Sequence, residues 1–349
     1  MQKRSKVFDK TYILHGLKFA IILSLFISFV IIMLTFDSSA FQKIIASIEP
    51  LFLLLALCLL FSRWLASSLL IKNLVKAIEE YISLKDALII YLSGAFVSNV
   101  TPFASGGAPF QVYFFHKKGI NIGKSSVIVV IQLLLRLFFL GFMTLVFMFF
   151  FRDIVSPGAI PESIFYLAFG SGFLISIVII FFTLTPGIAM KISDLIFSIN
   201  KIKKLVKRSY RVKRWIVRAR QEIEEFHYAL DIISNNKRVL FMAGFYTFLN
   251  WSLLFMIMPV ILKGLGGGNH FLQAYVMQTI FYLVLPFMPT PGASGIAEIG
   301  FASLFVSFIP GNLIGLVMFG WRLFTFYFML LAGGIFVFRE IGKMRSNIL

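Results

Sequence analysis

Two apolar stretches of this chain are interrupted by proline and glycine, which limits the folds that the chain can adopt. The first covers residues 99–110 (NVTPFASGGAPF) and the second covers residues 281–301 (FYLVLPFMPTPGASGIAEIGF). Proline lacks a backbone N–H and clashes in a helix interior, so neither stretch forms one continuous spanning helix. Non-helical backbone inside a bilayer is tolerated only where it is buried in protein or lines a cavity. Two broken segments in corresponding halves of a membrane chain therefore predict a transporter-like binding site.

The composition indicates an integral membrane protein. Of the 349 residues, 59% are hydrophobic, a larger share than soluble domains contain. The chain carries 33 Lys and Arg against 15 Asp and Glu, a formal net charge of +18. Basic loops on the cytoplasmic side of a membrane account for this charge, so nucleic acid is not an expected partner.

The hydropathy pattern predicts one all-α membrane domain over residues 1–349, with six full spans and two re-entrant helical hairpins. A hairpin is favoured at the first break because each arm, about 14 residues, is too short to cross a bilayer. The distribution of Lys and Arg places both termini, and the opening of the first hairpin, on the cytoplasmic side of the cell membrane. The second hairpin is expected to enter from outside. The predicted spans cover residues 12–36, 50–71, 125–151, 163–184, 239–262 and 313–338, and the hairpins cover 87–116 and 271–308.

The two halves of the chain share a local sequence pattern. TPFASGG begins at Thr101 and TPGASG begins at Thr290, and an Arg-Leu pair follows each, 35 and 32 residues later. Self-similarity at a nearly constant offset indicates an internal repeat. Units of about residues 87–151 and 271–338 would then have inverted topology, which predicts a binding site near the middle of the membrane.

Charged residues inside the predicted membrane segments are the first candidates for that site. Arg136 and Arg322 lie within spans, where a charge costs about 2.5–3.5 kcal/mol and is usually paired or faces a wet pathway. We expect Glu298 to pair with one arginine while the other binds an anionic headgroup through bidentate contacts. The alternative is a structural Arg–Glu bridge between the repeats. Arg63 is interpreted as a side chain that extends to the edge of its span.

The tips of the two breaks supply further candidates. Glycine allows tight turns and exposes backbone N–H groups, and a helix N-terminus favours an anion such as phosphate. The alternative is that these glycines only permit close helix packing. The candidate substrate-binding residues at the tips are Thr101, Ser105, Gly106, Gly107, Thr290, Gly292, Ser294 and Gly295.

A long polar region covers residues 185–238 and is predicted to be cytoplasmic, because it holds 13 Lys or Arg against 5 acids. Apolar residues recur there at three- and four-residue steps from Ile202 to Leu230, which indicates an amphipathic helix with a basic polar face. The helix could pack on the spans, or it could lie on anionic lipid headgroups.

Catalytic chemistry has little support in the sequence. There is no paired-carboxylate site and no GxxxxGK phosphate-binding motif, and the four histidines and Cys58 do not share metal-ligand spacing. We therefore expect no catalytic residue, no metal and no cofactor.

The chain resembles the membrane region of lysylphosphatidylglycerol synthases, the multiple peptide resistance factor family. The resemblance covers nearly the whole chain and is most specific at SNVTPFASGGAPF, the following Arg-Leu, PTPGASGIAEIGF and WRLFTFY. The family often has an acidic residue where this chain has Ala108.

The resemblance implies a flippase-like translocase for an anionic, aminoacylated or polyprenyl-linked lipid. One alternative is phosphatidylglycerol lysyltransferase activity, which in the family belongs to a separate cytosolic domain that we do not expect here. Another is a membrane scaffold for a separate lipid-modifying enzyme.

Overall fold

The computed structural model describes residues 49–151 and 210–346 and a few isolated positions elsewhere. Every regular element in these residues is helical. The ten α-helices are α1 (Pro50–Ala77), α2 (Leu84–Asn99), α3 (Gly107–Lys117), α4 (Ile122–Phe150), α5 (Tyr210–Asn235), α6 (Lys237–Gly264), α7 (Phe271–Val284), α8 (Ile296–Phe305), α9 (Gly311–Arg322) and α10 (Phe328–Ser346).

Four stretches of the described chain are long and apolar enough to cross a membrane: α1, α4, α6 and the α9–α10 pair. They correspond to four of the six predicted spans. The other two, residues 12–36 and 163–184, fall almost wholly outside the described residues. α1 continues six residues beyond its predicted limit because hydropathy marks the apolar part of a helix, and Lys72 and Lys76 favour helix as well.

Helices α1 and α6 pack side by side in opposite directions and form a frame for the rest of the fold. At one end, the N–H of Glu49 donates to the carbonyl of Gly264 over 3.3 Å. At the other end, Asn73 Nδ2 donates to the carbonyl of Val239 over 3.1 Å. We call these the Pro50 end and the Ala77 end of the frame.

The first broken segment leaves the Ala77 end and returns to it. α2 begins there after Ser83, whose hydroxyl accepts the N–H of Asp86 over 3.1 Å. α3 packs against α2, and just past its last residue Lys118 Nζ lies 2.5 Å from Asp86 Oδ1. Lys117 also forms an ion pair with Glu340 of α10. The start of α2 and the end of α3 therefore lie together.

The second broken segment belongs to the Pro50 end. Lys263 near the end of α6 lies 6.0 Å from the ring centroid of Phe271, the first residue of α7. The rings of His270, just before α7, and Phe308, just after α8, have centroids 5.6 Å apart. The two broken segments therefore extend from opposite ends of the α1–α6 frame.

The breaks between the arms meet, and they share one backbone conformation. Each contains a short 3₁₀ turn, Pro102–Ala104 in the first break and Pro291–Ala293 in the second, and the two turns are in contact. The middle residue of each turn is left-handed, with φ 54° at Phe103 and 62° at Gly292. The alanine that follows is left-handed in both, with φ 51° and 53°. The repeated TPxA sequence thus adopts the same local structure twice, and the backbones diverge at the serine that follows, with ψ −25° at Ser105 and 137° at Ser294.

Close helix contacts are made where glycine removes the side chain. A Cβ built on Gly333 of α10 would lie 2.3 Å from the carbonyl oxygen of Leu92 in α2. A Cβ on Gly123 of α4 would lie 2.1 Å from the carbonyl oxygen of Glu222 in α5. In a lipid environment such small-residue contacts let helix backbones approach and pack.

Helix α5 is the described part of the predicted basic amphipathic segment, and residues 185–209 lie outside the described residues. α5 packs along α4, and the Gly123 N–H donates to Glu222 Oε2 over 2.6 Å. Its apolar positions Phe226 and Leu230 pack on the core, and Ala229 is fully buried. The apolar face predicted from the sequence therefore contacts the helical bundle.

Candidate functional site

A cavity of about 730 Å³ lies between the two breaks, and we call it the central cavity. Residues 103–105 of the first break and 285–293 of the second contribute to its wall, together with helices α1, α2, α4, α6 and the α9–α10 pair. A volume of this size suits a small-molecule or headgroup ligand.

The buried ion pair of Arg322 and Glu298 is the strongest polar contact at the second break. Arg322 Nε lies 2.8 Å from Glu298 Oε1, and Arg322 Nη2 donates to Oε2 over 3.0 Å. Oε2 also accepts the N–H of Gly295 over 2.7 Å, and Arg322 Nη1 donates to the carbonyl of Gly292 over 3.3 Å. Glu298 has no exposed surface and Arg322 is 4% exposed. The Arg–Glu pairing expected from the sequence is present, within the second repeat-like unit.

An irregular turn of helix follows Arg322 directly. Residues Leu323–Tyr327 form a π-helical turn between α9 and α10. The guanidinium of Arg322 lies 5.1 Å from the ring centroid of Trp321 and 4.9 Å from that of Phe326. π-turns inside α-helices often occur at functional sites, and here the turn adjoins the charged residue that lines the cavity.

Arg136 and Arg63 also line the central cavity, and they differ from Arg322 in lacking a carboxylate partner among the described residues. The Nε atoms of both are buried and make no hydrogen bond to the described residues. The guanidinium of Arg136 lies 6.0 Å from the ring centroid of Trp251, which also lines the cavity. The interpretation of Arg63 as a side chain at the edge of its span is wrong, because it faces this internal space.

Of the eight predicted tip residues, four line the cavity: Ser105, Gly107, Thr290 and Gly292. The hydroxyl of Thr290 is buried and makes no hydrogen bond to described residues. The hydroxyl of Ser105 is exposed and donates to the carbonyl of Pro102 over 2.9 Å.

The other four tip residues lie away from the cavity wall. Thr101 donates its hydroxyl proton to the Val97 carbonyl over 2.8 Å and accepts the Gly106 N–H over 3.0 Å. Ser294 is fully buried. Gly295 has φ 87°, a conformation that favours glycine, and presents its N–H to Glu298. The hydrogen bonds of Thr101, Gly106 and Gly295 stabilise the breaks, whereas the buried hydroxyl of Ser294 makes no hydrogen bond to described residues.

The packing explanation for the glycines applies clearly at Gly107. A Cβ there would lie 1.8 Å from Ser98 Oγ and 2.7 Å from the Gly94 carbonyl oxygen, so α2 and α3 could not keep their separation. Gly292 combines both roles, since it is left-handed and a Cβ would lie 2.4 Å from Phe326. Gly292 also lines the cavity, and its carbonyl accepts a hydrogen bond from Arg322 Nη1.

The sequence reasoning missed several polar residues of the cavity. Ser67 and Asn250 both line it, and Ser67 Oγ donates to Asn250 Oδ1 over 2.8 Å. Gln132 lies one helical turn before Arg136 on α4 and lines it as well. Each is a polar residue inside an apolar span, and that isolation is the signal by which they could have been found.

The wall of the central cavity has an unbalanced charge. Its lining includes Arg63, Arg136 and Arg322 and contains no Asp or Glu among the described residues. Glu298 lies behind the wall and forms an ion pair with Arg322. The cavity therefore carries two positive charges without a described counter-charge.

Comparisons with known proteins agree with this architecture. The model of the family described as "Lysylphosphatidylglycerol synthase TM region" matches residues 21–333. A protein from Archaeoglobus fulgidus described as "UPF0104 membrane protein" is 29% identical over 320 residues, which cover 88% of this chain and 92% of that protein. No solved structure matches the chain. The match across residues 21–333 shows that the chain belongs to the family of the lysylphosphatidylglycerol synthase transmembrane region.

Proposed function

We propose that the protein moves a lipid with an anionic headgroup across the cell membrane. The observation that carries this proposal is the central cavity, which lies where the two breaks meet and is lined by three arginines and no described carboxylate. Burying uncompensated charge in an apolar environment is costly, so such arginines are retained where an anion or water compensates them.

In this proposal the two broken segments are re-entrant hairpins of an inverted repeat. The supporting contacts are the return of α3 to the start of α2 at the Ala77 end, and the His270–Phe308 contact at the Pro50 end. Basic residues of α5 and of the α2–α3 segment lie at the Ala77 end, which therefore faces the cytoplasm, with both termini on that side. A headgroup in the central cavity is then reached from either leaflet as one hairpin or the other moves.

The headgroup binds at Arg63, Arg136 and the polar groups beside them, while the acyl chains stay in the bilayer. Guanidinium groups suit phosphate because their planar donors make bidentate contacts and stay charged. Exposed Phe103, on the rim formed by the first break, offers apolar contact to the lipid tails.

Helix α5 provides a second contact with the lipid. Its apolar side packs on the bundle, and Arg218 is exposed on its surface. We propose that its basic side contacts anionic headgroups of the membrane, since juxtamembrane basic residues attract them. Neutralising five basic residues of this segment is expected to weaken binding to anionic liposomes, and unchanged binding would exclude the contact.

A flipping assay tests the main proposal. The purified protein is reconstituted into two sets of vesicles, one with fluorescently labelled phosphatidylglycerol and one with fluorescently labelled phosphatidic acid, and a membrane-impermeant reductant bleaches label in the outer leaflet. Wild-type protein is expected to make nearly all of the label accessible, whereas protein-free vesicles protect the inner-leaflet share. Arg136→Gln is expected to remove the activity, and Arg339→Gln, a change at an exposed arginine outside the cavity, is expected to keep it. Wild-type vesicles indistinguishable from protein-free vesicles would refute the proposal.

A further inference from the structure

The charges on the wall of the central cavity indicate how many negative charges a matching ligand carries. Three arginines line it, and one of them, Arg322, is held by Glu298 through two nitrogen–oxygen contacts of 2.8 and 3.0 Å. The remaining two, Arg63 and Arg136, face the same space without a described carboxylate. Charges removed from water are strongly unfavourable unless they are paired, so the complement of this wall is a ligand with two negative charges.

The unsatisfied hydrogen-bonding groups of the wall point to an oxygen-rich acceptor. The buried Nε–H groups of Arg63 and Arg136 find no acceptor among the described residues, and the buried hydroxyl of Thr290 makes no hydrogen bond to them either. A buried donor without a hydrogen bond costs more free energy than a typical hydrogen bond contributes. This favours a ligand that accepts hydrogen bonds from several directions. A terminal phosphate offers three strongly accepting oxygens.

The same wall disfavours a cationic headgroup. An amine, such as that of an aminoacylated lipid, needs a carboxylate or several carbonyls for its ammonium group, and no Asp or Glu lines the described cavity. Glu298 is fully buried and already engaged by Arg322 and the Gly295 N–H. A net positive headgroup would therefore meet like charge in a poorly screened site.

We infer that the central cavity selects a phosphomonoester dianion, as carried at the end of a lipid or as free phosphate, over singly charged phosphodiester and aminoacylated headgroups. The inference rests on the proposed function only for the lipid source of the phosphate. Arg63 and Arg136 are the residues that set the selectivity, because they carry the charge that Glu298 leaves uncompensated.

Binding measured by calorimetry on the purified full chain in detergent tests the inference. The probes are short-chain phosphatidic acid, short-chain phosphatidylmethanol with the same tails and one charge fewer, lysyl-phosphatidylglycerol, and inorganic phosphate. At pH 8 phosphatidic acid is expected to bind at least about tenfold more tightly than phosphatidylmethanol, the ratio that 1.4 kcal/mol represents. The ratio is expected to fall at pH 5, because a phosphomonoester loses its second charge near pH 6 while arginine stays charged.

Variants assign the selectivity to residues. Arg63→Gln and Arg136→Gln are each expected to reduce the ratio severalfold, and the charge-retaining Arg136→Lys is expected to keep most of it. Arg339→Gln, at an exposed residue outside the cavity, is expected to leave the ratio unchanged. Variants are compared only when their thermal unfolding and gel-filtration profiles match those of the wild type, so a folding defect is not mistaken for lost binding.

Each outcome decides a specific claim. Equal binding of the two lipids, a ratio that both glutamine variants preserve, or lysyl-phosphatidylglycerol binding as tightly as phosphatidic acid overturns the inference. Inorganic phosphate competing at the same concentration as phosphatidic acid supports the dianion site and assigns it to the free ion. Selective binding without lipid flipping refutes the transport proposal and supports the inference. Lipid flipping without charge selectivity supports the transport proposal and overturns the inference.

Discussion

The two breaks share one left-handed turn and differ in electrostatics. Both carry the TPxA turn, and an arginine follows each at a similar distance along the chain. Aligning the two turns places Glu298 of the second break opposite Pro109 of the first. The second break thus neutralises its own arginine, and Arg136 is left without a described partner. The comparison teaches that two breaks with similar turns can differ in charge: the carboxylate of the second pairs with its arginine, and the proposed ligand site uses the charge that remains near the first.

The largest expected effect comes from making one substitution in both halves. Arg322→Gln leaves Glu298 buried without its partner, and breaking a buried ion pair costs about 3–5 kcal/mol. Arg136→Gln removes a buried charge that has no described partner, so it is expected to leave the stability unchanged or increased. Thermal unfolding of the two detergent-purified variants measures the difference.

A double variant and a control sharpen that result. Glu298→Gln combined with Arg322→Gln is expected to be more stable than either single change, since no charge is left alone. Glu79→Gln, at an exposed carboxylate outside the cavity, is expected to change the free energy of unfolding by less than about 0.5 kcal/mol. If Arg136→Gln were as destabilising as Arg322→Gln, the contrast between the halves would be lost.

The second expected effect concerns the left-handed turns. Gly292→Ala introduces a Cβ at φ 62° that would lie 2.4 Å from Phe326 and 3.0 Å from the Asn99 carbonyl, so we expect a loss of about 1–3 kcal/mol in stability. At the equivalent position Phe103→Gly relieves a side chain held at φ 54°, and we expect no loss. Equilibrium unfolding compares the two. A larger loss for Phe103→Gly would mean that the exposed ring, and not the backbone, holds the first turn.

A smaller effect is expected when the first break receives a carboxylate of its own. Ala108 lines the central cavity in the first turn of α3. Ala108→Glu is expected to weaken binding of phosphatidic acid about tenfold, or about 1.4 kcal/mol, because it offsets part of the uncompensated positive charge. Ala108→Gln, of the same size and without charge, is the matched control for the calorimetric measurement. Equal affinities of the two variants would show that the charge of the wall does not govern binding.

The smallest effect is expected where the two arms of each broken segment meet. In the first, Lys118 and Asp86 expose 42% and 24% of their side chains, so Lys118→Gln is expected to cost under about 1 kcal/mol and to cost less in high salt. In the second, the contact of His270 with Phe308 is aromatic, and His270→Ala is expected to cost about 0.5–1.5 kcal/mol. Thermal unfolding at two salt concentrations compares them, and salt dependence at the His270 contact would contradict this account.

Much of the fold could be predicted from the sequence, because proline and glycine inside apolar stretches leave few alternatives. The breaks, the four described long helices and the Glu298–Arg322 pair all follow from residue types that are costly in the middle of a helix or a membrane.

The composition of the cavity wall could not be predicted in the same way. In a soluble helix polar residues mark the outer face, but in an apolar span hydropathy does not reveal which side faces protein. Arg63 was therefore misplaced, and Ser67 and Asn250 were missed although they line the same space. Conversely, Thr101 is a polar residue that was expected to contact the ligand, but its hydroxyl forms hydrogen bonds with the backbone of Val97 and Gly106.

The π-turn after Arg322 determines which way the far end of the continuous α9–α10 helix faces. A π-turn holds one residue more than the regular helix, so deleting one residue from Leu323–Tyr327 would turn the α10 half by about 100° relative to the α9 half. The Arg322–Glu298 ion pair could then form only if the Lys117–Glu340 ion pair were broken. The extra residue of the π-turn sets the rotation of α10 relative to α9. It allows one continuous helix to place Arg322 in the middle of the bundle and Glu340 near its edge, each facing its own partner.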